Sequence, residues 1–179
     1  VDPLPALEAA RASAHGDRVR AGAVKLFLDG VIEARTAALL EPYEGGDEPG
    51  APRLPPEILD PLLARLDAAG FQVHMHAIGD RANSRLLDIF ERVTNANGLR
   101  DRRFRVEHAQ HLTAEDVLRF RNLHIIPSMQ PYHAIDDMRW MEERIGARAQ
   151  WAYAFKTFKD AGVPLLFGSD WPGTNASWY

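Results

Sequence analysis

The chain has 179 residues, 46% hydrophobic and 26% charged, the composition of an ordinary globular domain with a core. A net charge of -4 excludes the basic footprint of a nucleic-acid binder and the polybasic patch of a membrane-surface protein, and no apolar run reaches membrane-spanning length. There is no cysteine, which removes disulfides, thiolate nucleophiles and thiolate zinc sites together and fits a cytoplasmic setting.

The first 16 residues, with Ala6 to Arg11 at their centre, read as a helix. Ala23 to Leu28 reads as a strand. Glu41 to Pro56 is rich in Gly, Pro and acids and reads as a long functional or mobile loop. Pro56 opens a helix whose Leu59, Leu62, Leu63 and Leu66 keep the helical period until Gly70 stops it. Phe71 to His76 is a strand, and Asp80 to Asn97 a helix with Leu86, Leu87, Ile89, Phe90 and Val93 on its apolar face. Phe104 to His108 is a strand. Thr113 is placed to cap the next helix, with Asp116 at the capping-box position, and that helix runs to about Asn122. His124 to Met129 is a strand, Asp136 to Ala161 is mostly helical with a break near Gly146, and Pro164 to Ser169 is the last strand. Strands alternating with helices predict an α/β fold with a parallel sheet, in which function sits at the C-terminal ends of the strands.

Chemistry-bearing residues recur at those ends. The chain carries Val24-Lys25-Leu26-Phe27-Leu28-Asp29-Gly30, His74-Met75-His76-Ala77-Ile78-Gly79-Asp80, Arg105-Val106-Glu107-His108-Ala109-Gln110 and Phe167-Gly168-Ser169-Asp170-Trp171-Pro172. Neutral imidazole and carboxylate suit divalent zinc among nitrogen and oxygen donors. A lysine joins such a set only if buried, deprotonated and carboxylated by carbon dioxide. The bland alternatives are a hydrogen-bonded core histidine, a turn aspartate, and a Lys25 paired with Asp29 or another acid. Period-two counting puts Lys25, Phe27 and Asp29 on one strand face and sends Glu107 to the face opposite His108.

The order Lys, His, His, Asp on separate strands resembles the amidohydrolase superfamily of metal-dependent (β/α)₈ TIM-barrel hydrolases. "VKLFLDG", "HMHAIGD", "RVEHAQH", "PSMQPYH" and "GSDWP" resemble its family-3 branch, which includes the N-substituted formamide deformylases. The resemblance runs from about Asp17 to Tyr179 and implies one catalytic domain over residues 1–179. A complete barrel takes about 250 residues. The family's first-strand His-x-His is not matched by His74 and His76, which are followed by too few strand-like runs. The chain is therefore expected to be a partial barrel of about five βα units, strands four to eight, with the first three strands upstream of Val1.

By that resemblance Lys25, His76, His108 and Asp170 are metal ligands, Lys25 as a carboxylated bridge between two zinc ions. Asp170 is the catalytic proton acceptor, taking a proton from metal-activated water and passing it to the leaving nitrogen. Gln130, His133 and His111 are expected on the substrate side, with His111 at the pocket rim. The expected substrate is a small amide or N-formyl compound with an apolar substituent, cleaved at a non-peptide carbon–nitrogen bond. The competing expectation is a catalytically incomplete α/β fragment or binding module, its exposed sheet edge open to pairing in a homodimer.

Overall fold

The computed structural model describes residues 2–14, 16–171 and 173. Helix α1 (Leu4–Ser13) precedes strand β1 (Ala23–Phe27), followed by α2 (Pro56–Ala68), β2 (Gln72–Ala77), α3 (Asp80–Asn97), β3 (Arg105–His108), α4 (Ala114–Asn122) and β4 (Ile126–Met129). Two short helices, α5 (Pro131–Asp137) and α6 (Met141–Ile145), a 3-10 turn (Gly146–Trp151) and α7 (Phe155–Asp160) then lead to strand β5 (Leu166–Phe167). The strands form one sheet in the order β1-β2-β3-β4-β5, every neighbouring pair parallel. This is the α/β architecture expected, in the form of a partial barrel wall.

The two faces of the sheet differ in kind. Val24, Val73, Met75, Val106 and Met129 point to the helices and are buried with Leu59, Leu63, Leu86, Phe90, Phe104 and Phe120. Parallel register sets Lys25 beside His74 and Arg105, and Phe27 beside His76, Glu107 and Ser128, on the other face. That face is polar and open: Phe27 is 49% exposed, and Lys25 is exposed too. A smaller apolar cluster of Ile32, Leu39, Tyr43, Ile78, Met141 and Ile145 sits between the loop after β1 and α6.

Local rules explain most boundaries. Pro56 occupies the first turn of α2, where its missing N–H is not needed. Thr113 Oγ1 accepts the Asp116 N–H and caps α4, while Asp116 bonds Ser84 Oγ at 2.5 Å instead of closing the box. The loop after β1 is ordered by its own backbone: Leu39 N–H bonds Pro49 O, and Arg53 N–H bonds Leu28 O. At Gly79 a Cβ would strike the backbone of Ala38, so only glycine lets this loop pass so close to the start of α3.

Three expectations need correction. Helix α5 starts at Pro131, five residues before the predicted Asp136, because proline at the first helical position nucleates it. The following stretch is short helical pieces, with Gly146 at φ +58 turning the chain. Strand β5 is only two residues long, since only Leu166 and Phe167 pair with β4 before the chain turns away at Gly168. Pro172, in the last motif, lies outside the described residues.

Candidate metal centre

A cavity of about 410 Å³ opens at the C-terminal ends of the strands, lined among others by Lys25, His76, His108, His133, Asp137 and Asp170. The sequence motifs from four strands and the start of α5 therefore meet at one place.

His76 points into it from β2 and is buried. Its Nε2–H donates to the Gly30 carbonyl at 2.9 Å, and Asp29 Oδ1 lies 3.6 Å away. Because a carbonyl only accepts, the proton sits on Nε2 and Nδ1 keeps its lone pair. Burial holds the ring below the usual histidine range, against the Gly30 bond. Asp29 is fully buried and accepts N–H groups from Ala38, Ile78 and Gly79 at 2.8–3.0 Å. Burial outweighs those three donors and raises its carboxyl to about 6.

His108 reaches the same cavity by a different route. Strand alternation would send it to the helix side with Val106. Its backbone instead takes φ +76, and Ala109 follows at φ +43, which swings the ring round to meet His76 edge-on at 4.6 Å. Burial, with neighbouring His76, His133 and Lys25, pushes His108 down to about 3. Glu107 was expected on the face opposite His108, but it is His108 that turns: Glu107 keeps its regular strand alternation beside His76, and the two share the site's face. Glu107 pairs with Arg105 of its own strand, on the Lys25 and His76 side.

His133, on α5, stacks on His108 with centroids 5.6 Å apart, and its Nε2 lies 3.7 Å from Asp170 Oδ2. Asp170 sits just after β5 at φ +58, its side chain half exposed. The donor atoms of His108, His133 and Asp170 all lie within 4.8 Å of one another. This is the tightest metal-type grouping among the described residues. It exchanges the expected His76 for His133, while His76 and Lys25 line the same cavity outside it. Lys25 does not pair with Asp29; its Nζ lies over the Phe27 ring at 4.3 Å. Partial burial lowers it, and Glu107 and Asp170 oppose that shift.

Two substrate-side expectations do not fit the geometry. His111 is 2% exposed and lies behind the cavity, its Nε2 3.5 Å from Asp80 Oδ2, because its N–H is tied to Ile78 O and draws the chain inward. Gln130 is buried with both ends of its amide engaged, by His108 and by Ser128 O. The sequence reading missed Asp137, whose carboxylate lines the cavity while accepting from Gln110 Nε2 at 2.9 Å and from the Tyr153 hydroxyl. Burial raises it. Its spacing of four from His133 on one helix was the available signal.

The donor set fits a divalent ion. His76 and His108 line the cavity; the lone-pair nitrogens, His76 Nδ1 and His108 Nε2, are not hydrogen-bonded among the described residues, and both rings are held neutral. A parallel sheet that gathers histidines and an aspartate at its strand ends defines a metal-binding α/β-barrel type of site.

The chain belongs to the amidohydrolase family, whose profile matches residues 4–177. It is 41% identical over 154 residues to "Protein LONG AFTER FAR-RED 3" of Arabidopsis thaliana, covering 84% of this chain and 26% of that protein. It is 36% identical over 161 residues to YtcJ of Bacillus subtilis (strain 168), a provisionally named amidohydrolase, covering 88% and 30%. Among solved structures, an uncharacterized metal-dependent hydrolase from Pyrococcus furiosus superposes with a TM-score of 0.83 at 33% identity, over 97% of this chain and 36% of the other. The chain thus spans roughly a third or less of these relatives. No helix among the described residues is long and apolar enough to cross a membrane.

Proposed function

We propose that the protein containing this chain is a metal-dependent hydrolase that cleaves the carbon–nitrogen bond of a small amide or N-formyl compound. The observation that carries this reading is the pair of neutral histidines presenting unengaged nitrogens to a cavity shared with His133 and Asp170. The family and the Pyrococcus relative support it.

His76, His108, His133 and Asp170 would hold the ion, with Lys25 able to join once its own face of the sheet is covered. Zinc suits the nitrogen and oxygen donors, and bound there it would supply a Lewis acid and a water of lowered pKa. Asp170 accepts the proton lost as the water oxygen bonds to the carbonyl carbon. It returns that proton to the nitrogen as the carbon–nitrogen bond breaks. His133, 3.7 Å from Asp170, restricts the carboxylate's orientation. Phe27, Val31 and Ile78 give the cavity an apolar wall for the substrate's substituent.

The open polar face of the sheet favours a second reading, a binding module without turnover in this chain alone. Metal analysis of the purified full-length protein, with a screen of amides and N-formyl amines before and after chelation, separates the two. Zinc uptake with chelator-sensitive hydrolysis supports the hydrolase. Failure to take up any divalent ion overturns it.

A further inference from the structure

Gln130 is only 4% exposed and precedes Pro131 at the start of α5. Its Nε2 donates to the Ser128 carbonyl at 3.1 Å. That carbonyl cannot donate, so the amide can be oriented only one way. Oε1 must face His108, whose Nδ1 lies 2.9 Å from it. An amide oxygen in turn only accepts. The neutral His108 ring therefore carries its proton on Nδ1 and leaves Nε2 bare.

Nothing else around the ring imposes this. His76 meets it edge-on and His133 stacks on its face, and neither is hydrogen-bonded to Nδ1. A neutral histidine side chain in water favours the opposite tautomer, with the proton on Nε2. Gln130 thus works against the intrinsic preference of the ring. It is itself fixed by burial, by Ser128 and by the stiff proline that follows.

We propose that Gln130 is a positioning residue: it locks His108 in the Nδ1–H tautomer and so selects Nε2 as the atom offered to the cavity. This differs from a substrate contact, for which the amide has no free end. A partner that fixes the far nitrogen of a metal-binding histidine typically contributes 10–100-fold to metal affinity. That consequence rests on the hydrolase reading, whereas the tautomer itself does not.

The test uses long-range ¹H–¹⁵N NMR of the histidine rings in metal-free full-length protein near neutral pH. The unaltered protein should show His108 protonated at Nδ1. Gln130→Glu keeps an acceptor and should preserve that pattern. Gln130→Met removes the acceptor at nearly constant volume, and Gln130→Ala removes the whole amide; both should move the proton to Nε2. Zinc affinity, read by competition with a chromophoric chelator, should fall about 10–100-fold in the Met and Ala variants and less in the Glu variant. An Nε2–H His108 in the unaltered protein overturns the proposal without need of any variant, as does retention of Nδ1–H in a folded Gln130→Met protein. A tautomer that follows Gln130 in a protein that takes up no zinc upholds the positioning role and overturns the hydrolase reading instead.

Discussion

The rings of His108 and His133 lie within 10° of parallel, although one ends a strand and the other rides the first turns of a helix after the next strand. This stacking brings His133 into the donor cluster and gives the first prediction. His133→Ala should weaken zinc binding about tenfold or more, at least the loss typical of removing even an outer-shell partner. Chelator competition measures it. Unchanged affinity would confine His133 to a role beside Asp170.

Asp170→Asn keeps the shape of the side chain but removes its negative charge and its ability to take a proton. Turnover should fall by about 10²–10⁴-fold, the usual weight of general acid–base catalysis. The half-exposed position means the melting temperature should hardly move. Steady-state rates and a thermal melt of the same preparation check both halves.

Metal-free protein should lose stability in acid. The His108 pKa is depressed from 6.5 to about 3, so the unfolded chain binds its proton first as pH falls. The stability contributed by keeping His108 neutral is complete above pH 6.5 and is lost as pH drops toward 3. His76 and His74 shift in the same direction, chiefly by burial. Asp29 opposes them: raised from 3.8 to about 6, it contributes fully below 3.8 and loses that contribution as pH rises through 6. Four depressed histidines, His111 among them, against two raised carboxyls, Asp29 and Asp137, predict melting temperatures that decline from pH 6.5 to 4, with a shallower slope in His108→Asn. A flat profile would contradict the burial of these rings.

Asp67 tests the scaffold apart from the site. It is 1% exposed and ion-pairs with Arg100 and, at 2.8 Å, with Arg102, whose side chain is itself 6% exposed. Asp67→Ala leaves the Arg102 charge buried and unpaired. A loss of about 3–5 kcal/mol is expected, read from the urea midpoint. A loss below about 1 kcal/mol, the scale of exposed pairs, would mean that water reaches the cluster.

Much of this was legible in the residues. Four of the five strands showed as short apolar runs leading into His or Asp, and the helices after β1, β2 and β3 showed their period and their stops. The ligand candidates Lys25, His76, His108 and Asp170 all line the cavity. What failed had physical causes. Alternation assumes extended backbone, so it could not foresee the positive φ at His108 that brings its ring onto the face Glu107 already occupies. Pro131 was read as part of a loop, though proline favours a helix's first turn, and so α5 and Asp137 were missed. The link between Asp137 and Tyr153 depends on tertiary packing that no local pattern encodes. His111 looked like a rim residue because nothing in its neighbours signals the bond that draws it inward.

Asp29 gathers the N–H groups of Ala38, from the long loop, and of Ile78 and Gly79, from the turn after His76. One carboxylate is thus shared by two segments that are far apart along the chain. Opening either removes part of what holds Asp29 in place for the other, which would make the loop and the backbone beside His76 one unit of local unfolding. In hydrogen–deuterium exchange the three amides should open together and with a common free energy. Loosening the loop would then loosen His76, and any ligand that steadies the histidine would slow exchange in the loop.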